Sequence, residues 1–263
     1  MRTVGKILKY EIRDILRNKF MLFYFLFFLL LTEGLLRFGG GSTKTLVSLS
    51  NVVLLVIPLM AIIFGAMYLY HSREFTELLL TQPVNRHQLF TGLYLGLAVP
   101  LALSFGVGLG LPFLFHGFDG SGDLALLMVM IGSGILLTFI FTAIAFWISV
   151  AYNERVKGLG FSIVLWLFFA VIYDGLVLLM VAWFADYPLE RAVISFTLFN
   201  PLDLARILLL LQMDASALMG YTGAVFQRFF GSFQGMGITT VALLAWTVIP
   251  FWLGLRRFAR KDF

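Results

Sequence analysis

Residues 124–151 read LALLMVMIGSGILLTFIFTAIAFWISVA and carry no charged side chain. About 20 consecutive apolar residues allow a helix to cross the hydrocarbon core of a bilayer, so this stretch predicts a transmembrane helix. Similar apolar runs occur elsewhere in the chain, at 20–38, 46–70, 89–115, 158–184 and 235–255. The sequence therefore predicts an all-α integral membrane protein with six transmembrane helices.

The composition supports the same fold class. Hydrophobic residues make up 60% of the 263 residues and charged residues 13%, with a mean hydropathy of +0.96, whereas a soluble domain has roughly 45–50% apolar and 25% charged residues. A soluble fold is excluded, and we expect residues 1–263 to form a single transmembrane domain. The chain has no cysteine, which excludes disulfides, cysteine nucleophiles and thiolate metal sites.

The distribution of basic residues predicts the orientation in the membrane. Of the 19 Lys and Arg residues, 14 fall in the N-terminal segment, in 71–88, in 152–157 and at the C-terminal end, and 5 fall in the segments between them. Cytoplasmic loops carry the excess of Lys and Arg. We therefore expect both termini to be cytoplasmic in a multi-pass inner-membrane protein, and the basic excess gives no indication of nucleic-acid binding.

Residues 1–19 precede the first span and have the pattern of an interfacial amphipathic helix. Val4, Leu8, Ile12 and Leu16 form one apolar stripe, and lysines and arginines occupy the other side. Such a helix lies along the membrane with its bases near anionic lipid headgroups. It is either a positively charged anchor or a contact for a cytoplasmic partner.

Known catalytic patterns do not occur in the sequence. The stretch GGGSTK at 39–44 lacks the order of a phosphate-binding loop, and neither H-E-x-x-H nor G-x-S-x-G is present. We predict no catalytic residue, no metal site and no cofactor bound by this chain. The three histidines lie in segments predicted as loops and lack ligand spacing, whereas methionine thioethers suit Cu(I) but more often fill gaps in helix bundles. These histidines are at 71, 87 and 116.

Residues 71–88 join the second and third spans on the predicted cytoplasmic side. Ser72 is suited to cap a short helix, and Glu74 and Glu77 lie early in it, where the helix dipole favours anions. Leucines give the helix an apolar side, and Pro83 ends it. A short amphipathic helix at this place is typical of docking into a groove on a partner protein, although an ordinary connector has the same pattern.

One acidic residue lies inside a predicted span. Asp174 stands in FFAVIYDGLVLLM, with no basic residue nearby in sequence. An ionisable side chain at this depth costs about 2.5–3.5 kcal/mol on insertion scales, so it faces the bundle or a cavity. We expect either a structural hydrogen bond between helices or a role in a pathway. Glu33 and Arg37, four residues apart, predict a local ion pair.

The stretch EFTELLLTQPVNR at 74–86 resembles the coupling segment of the permeases of ABC-2 type exporters. The resemblance extends over the whole chain, because those permeases also have an N-terminal amphipathic helix, six spans and a basic C-terminus like RRFARKDF at 256–263. Phe75 departs from the glycine common at its position. The resemblance implies ATPase-coupling residues, namely Glu74, Glu77, Leu78, Leu79, Pro83 and Arg86.

The segment 185–234 is predicted to be extracytoplasmic and to contain short helices. Its apolar run at 207–211 is too short to cross a bilayer, so interfacial or re-entrant helices are expected. Asn200 suits a helix cap and Pro201 the first helical position, and Asp203 can pair with Arg206 three residues later. Gly220 and Gly223 would allow a tight turn.

The blocks NPLD at 200–203 and DASALMGYTGAVF at 214–226 narrow the resemblance to NosY-type permeases, which serve copper-site maturation of nitrous oxide reductase. That resemblance implies a homodimer, a NosF-like ABC ATPase that binds ATP and Mg²⁺, and a NosD-like periplasmic protein. It also implies partner contacts at Asn200, Pro201, Asp203, Arg206 and Tyr221. Two alternatives remain: a general ABC-2 exporter of lipid, glycan or drug, and an ATP-independent secondary transporter, which normally shows paired buried acids and bases.

Overall fold

A computed structural model describes residues 19–81, 84–120, 122–184, 190–213 and 233–261. In these ranges the backbone forms α-helices, one π-turn and short connections, with no strand. Three predictions lie outside the described residues: the N-terminal interfacial helix, the role of Pro83, and the block that contains Tyr221.

The helices follow the predicted apolar runs closely. Helix α1 is Lys19–Phe38, α2 is Ser42–His71, α3 is Arg73–Leu80, α4 is Arg86–His116 and α5 is Asp123–Ala151. Helices α6 (Arg155–Leu167) and α7 (Tyr173–Trp183) are joined by the π-turn Phe168–Ile172, and α8 (Glu190–Leu198), α9 (Pro201–Gln212) and α10 (Phe233–Arg260) follow. Six described helical stretches are long and apolar enough to cross a membrane, which confirms the predicted fold class.

Helix α5 lies at the centre of the bundle. It packs against α2, α4, α9 and α10, and small residues allow its neighbours to approach closely. A Cβ atom at Gly65 of α2 would lie 2.7 Å from the Cβ of Ala145, so a larger residue at either position would push the two helices apart. The central helix is therefore held along most of its length.

The stretch GGGSTK forms the tight connection between α1 and α2. Gly40 and Gly41 have φ angles of +80° and +114°, a conformation that side chains with a Cβ rarely adopt. The carboxylate of Asp119 accepts a hydrogen bond from the Ser42 backbone N–H at 2.7 Å, and Asp123 accepts from the hydroxyls of Ser42 and Thr43. Carboxylates of the chain itself thus satisfy the N-terminus of α2.

Helices α8 and α9 form a hairpin that enters the bundle between the two last spans. The hydroxyl of Tyr173 donates to the Phe196 carbonyl at 2.6 Å, and Nε1 of Trp246 donates to the Leu198 carbonyl at 3.2 Å. The tip also contacts Phe169, which is about 21 Å along the helix from either end of the fifth span. These contacts are those of a re-entrant hairpin, the second of the two arrangements that the sequence left open.

Asn200 holds the tip of this hairpin in place. Its Oδ1 accepts from the Leu202 backbone N–H at 3.0 Å, and Pro201 occupies the first helical position, which confirms the predicted cap. Its Nδ2 donates to the Phe169 carbonyl at 3.0 Å, inside the π-turn. The side chain is fully buried, so one amide group satisfies both the start of α9 and the widened turn of the fifth span.

The orientation can be tested with single cysteines, because the chain contains none. We expect an impermeant thiol reagent applied to intact cells to label Phe118→Cys, which is exposed between α4 and α5. The same reagent should leave Asn85→Cys and Arg155→Cys unlabelled until the cells are opened. Labelling of position 85 or 155 from outside would contradict the predicted six-span topology.

Replacement of Asn200 should destabilise the fold. Asn200→Ala removes the cap of α9 and leaves the Phe169 carbonyl without its donor, a loss of about 2–4 kcal/mol. The purified variant should unfold at a lower temperature than the wild type in the same detergent. Gln212→Ala, at the exposed end of the same helix, is the matched control and should unfold at the wild-type temperature. Equal unfolding temperatures for Asn200→Ala and wild type would contradict this role.

Candidate functional site

Helix α3 has two distinct faces. Thr76 is buried, and Leu79 and Leu80 are half-buried against the bundle. Glu74 and Glu77 are exposed on the opposite side, together with Leu78, whose exposed fraction is 66%. The outward face, which we call the coupling surface, therefore consists of Glu74, Phe75, Glu77 and Leu78.

Two expectations for this segment need correction. Leu79 was predicted to contact the ATPase, but its side chain is half-buried against the bundle, because the helical rotation of 100° per residue turns it away from the exposed Leu78. Ser72 directly precedes α3, yet its hydroxyl makes no capping bond and donates to the Leu69 carbonyl at 3.3 Å. Helix α2 ends one residue earlier, so its last carbonyls compete for the hydroxyl.

Arg86 binds the end of α10. Its Nη1 donates to the Lys261 carbonyl at 2.7 Å and to the Ala259 carbonyl at 3.1 Å. The guanidinium predicted to serve ATPase coupling thus joins the start of α4 to the C-terminal end of the last span. Such binding is favourable because the final carbonyls of a helix have no partner within the helix and carry partial negative charge.

Lys261 makes a similar connection on the same side of the bundle. Its Nζ donates to the Val150 carbonyl at 3.0 Å, near the end of α5. Burial lowers the pKa of the Lys261 amine, and the positive charges of Arg73 and Arg257 lower it further. Cations from α3 and from the end of α10 therefore meet at the end of α5. Sequence analysis did not assign a contact to Arg73 or Lys261, because basic residues at the ends of membrane spans are usually explained by the orientation of the protein in the membrane.

Asp174, Asp203 and Arg206 form a second cluster, which we call the outer ionic group. Nη1 of Arg206 donates to Oδ2 of Asp174 at 2.7 Å and to Oδ1 of Asp203 at 2.9 Å. Nδ2 of Asn200 donates to the other oxygen of Asp203 at 3.0 Å. The predicted pair of Asp203 with Arg206 is confirmed, and Asp174 finds in Arg206 a base that is distant in sequence.

The outer ionic group joins the hairpin to the fifth span. Asp174 belongs to α7, whereas Asp203 and Arg206 belong to α9. Asn200 and Pro201 are buried and so present no surface to a periplasmic partner in this arrangement, contrary to the expected contact. Their side chains place α9 within the bundle instead.

The outer ionic group also has an exposed side. The side chains of Arg206 and Asp174 are 37% and 29% exposed, and Asp174 lies about 14 Å along the helix from the outer end of α7. A charged group at such depth is costly in contact with lipid tails. The open side of the outer ionic group therefore faces protein or water.

The remaining polar residues predicted in the sequence occupy helix ends. Glu33 and Arg37 form the expected ion pair at 2.6 Å, and His116 lies 3.7 Å from Glu33. His71 and His116 end helices α2 and α4, and His87 lies in the first turn of α4, so none is in a loop as predicted. Among the described residues, no group of three His, Asp or Glu side chains is arranged to hold a metal.

Comparison with known proteins agrees with this architecture. Residues 6–263 match the model of a family described as ABC-2 family transporter protein. A protein of Pseudomonas aeruginosa named "Probable ABC transporter permease protein NosY" is 30% identical over 236 residues, covering 84% of this chain and 86% of its own length. A protein of Stutzerimonas stutzeri with the same name is 28% identical, covering 97% of this chain and 95% of its own length. The chain therefore belongs to the ABC-2 family of transporters, as a NosY-like membrane permease.

Proposed function

We propose that this permease couples ATP hydrolysis by a separate ATPase subunit to a movement of the α8–α9 hairpin on the periplasmic side of the inner membrane. Membership of an ABC transporter family implies an ABC ATPase as partner. The observation that carries the proposal is the coupling surface, which lies outside the predicted spans on the side that the basic residues predict to be cytoplasmic. Catalysis would reside on the ATPase, which binds the ATP and Mg²⁺.

The shape and charge of the coupling surface suit protein docking. Leu78 supplies an exposed apolar side chain, and Glu74 and Glu77 lie next to it on one side around the helix, with Phe75 on the other side. A short amphipathic helix of this kind fits a groove that offers an apolar pocket and basic residues at its rim. Because the opposite face is packed against the bundle, a force on the helix reaches the spans directly.

A homodimer would account for two features of the isolated chain. In the fifth span, Arg155–Trp183, only 11% of the most apolar stretch is buried inside the protein, whereas the corresponding share in the Arg86–His116 span is 61%. The open side of the outer ionic group also requires a surrounding other than lipid. We propose that a second copy of the chain covers this side of the bundle, with any space around the charged residues filled by water.

Copper-site maturation of nitrous oxide reductase is the proposed biological role. It rests on the name NosY of both relatives and on the blocks at 200–203 and 214–226. In such a system a NosF-like ATPase would dock on the coupling surface, and a NosD-like periplasmic protein would receive the movement of the hairpin. The outer ionic group consists of carboxylates and a guanidinium, which are not the soft ligands that Cu(I) prefers, so we favour mechanical transmission over copper conduction.

The docking proposal predicts a charge-dependent interaction. Glu77→Lys should reduce co-purification of the ATPase subunit with the tagged permease, because it reverses the charge on the coupling surface. Glu154→Lys is the matched control, since Glu154 is an exposed glutamate in the connection between α5 and α6 and pairs only with nearby Lys157 among the described contacts. Membrane insertion should be normal in both variants. Full ATPase binding by Glu77→Lys and by Leu78→Asp would refute the assignment.

The biological role predicts an effect on copper loading that is separate from assembly. Tyr221→Ala and Arg206→Gln should leave the ATPase bound to the permease while the copper content of nitrous oxide reductase in the same cells falls. Copper content is measured on the purified reductase, and assembly by co-purification. Normal copper content in both variants would count against the NosY-like role and favour a general exporter of lipid, glycan or drug.

A further inference from the structure

Arg73 joins the coupling helix to the central helix of the bundle. It is the first residue of α3, and its guanidinium points towards the end of α5. Nη1 donates to the Asn153 carbonyl at 2.7 Å, and Nη2 donates to the Tyr152 carbonyl at 3.1 Å, with a longer contact to the Ser149 carbonyl at 3.5 Å. A single side chain thus binds three carbonyl groups around the C-terminus of one helix.

The chemistry of this contact favours arginine in particular. The last carbonyls of a helix lack partners within the helix and carry partial negative charge, so a cation that also donates hydrogen bonds satisfies both needs. The planar guanidinium donates from two nitrogens at fixed positions, whereas a lysine amine is a single point charge on a flexible chain. Arg73 is therefore suited to hold two segments at a fixed distance.

Neighbouring residues are arranged around the same contact. The Tyr70 hydroxyl donates to the Tyr152 carbonyl at 2.9 Å, and the guanidinium carbon of Arg73 lies 4.8 Å from the centre of the Tyr70 ring. Gly158 leaves the room that Tyr70 occupies, because a Cβ at this position would overlap the tyrosine hydroxyl. The connection thus includes the ends of α2 and α5, the start of α3 and the beginning of α6.

Helix α5 continues from this connection to the outer hairpin. The ring of Phe141 on α5 lies 6.5 Å from that of Phe169, centre to centre. The carbonyl of Phe169 accepts from Asn200 at the hairpin tip, and α9 packs directly against α5. A displacement of α5 along or across the bundle would therefore change the surroundings of the hairpin.

We propose that Arg73 is a positioning residue that makes α3 and the cytoplasmic end of α5 move as one unit. When the ATPase displaces the coupling surface, Arg73 transfers that displacement to α5, and α5 transfers it to the hairpin. The inference rests on the proposed function, because it requires α3 to be the ATPase contact. It adds a residue that makes no contact with the ATPase and yet is needed for transmission.

The test uses the full-length permease in complex with its ATPase partner in lipid nanodiscs. A single cysteine replaces Gln212, the exposed last residue of α9, and the labelling rate of this cysteine by a hydrophilic thiol reagent is measured with and without ATP. The variants are Arg73→Gln, Arg73→Lys and the control Lys157→Gln. Lys157 is a suitable control because it is an exposed cation in the first turn of α6, close to the end of α5, and pairs with Glu154 at the surface.

We expect Arg73→Gln to bind the ATPase as well as the wild type does, while the ATP-dependent change in labelling rate falls about fivefold or more. Arg73→Lys should be intermediate, since the charge remains but the two-nitrogen donor is lost. Lys157→Gln should respond as the wild type does. This separation of binding from transmission is not expected of a residue that only supports folding.

The other outcomes distinguish failure of this inference from failure of the proposed function. A wild-type ATP response in Arg73→Gln would overturn the inference and leave the proposed function intact. Loss of ATPase binding in both Arg73 variants would also overturn it, because Arg73 would then shape the docking surface and not the connection behind it. If the wild-type complex itself shows no ATP response at position 212, the proposed transmission to the hairpin fails, and the inference fails with it.

Discussion

A polar group within an apolar environment must find its partner in the protein, and this constraint determines the polar architecture of the permease. At the end of the bundle that is predicted to be cytoplasmic, Arg73, Arg86 and Lys261 bind carbonyl groups near the ends of α5 and α10. At the opposite end, Asp119 and Asp123 bind the start of α2. Helix termini, where backbone groups lack partners, are thus among the places where polar contacts join the spans to one another.

Sequence analysis predicted most of the features that depend on neighbours along the chain, with the cap at Ser72 as an exception. Apolar runs longer than a bilayer crossing identified the spans. The cap at Asn200 and the ion pairs of Glu33 with Arg37 and of Asp203 with Arg206 all involve residues within four positions of each other. Local geometry in a helix is nearly fixed, so the spacing of residue types is enough to predict such contacts.

Contacts between distant segments could not be predicted in the same way. Asp174 lacked a base nearby in sequence because its partner, Arg206, arrives only when the hairpin enters the bundle. The family resemblance placed Arg86 among the ATPase-coupling residues, and nothing in its segment shows that the end of α10 lies beside it.

The three consecutive leucines of α3 show a second reason why sequence analysis could not predict every contact. An eight-residue helix with leucines at 78, 79 and 80 spreads them over more than half of its circumference. Only the packing shows that Leu78 points outward.

Helix α5 lies between two polar clusters: the cations Arg73 and Lys261, which bind its C-terminal end, and the outer ionic group. Close contact at Gly65 and Ala145 holds α5 against α2, so α5 resists bending and small local adjustments. A packed interface of this kind responds to force by moving between discrete arrangements and not by gradual deformation. Movement at the end of α5 that Arg73 binds must then either be resisted or be passed along the helix towards the hairpin, which is held by Asn200 and the outer ionic group. Because Arg206 binds one carboxylate on α7 and another on its own helix, a shift of α9 relative to α7 would separate Arg206 from Asp174 and leave it paired with Asp203. The Asp174 carboxylate would then lose its base at a depth where an unpaired charge is costly, so the outer ionic group favours arrangements in which the hairpin and the fifth span move together.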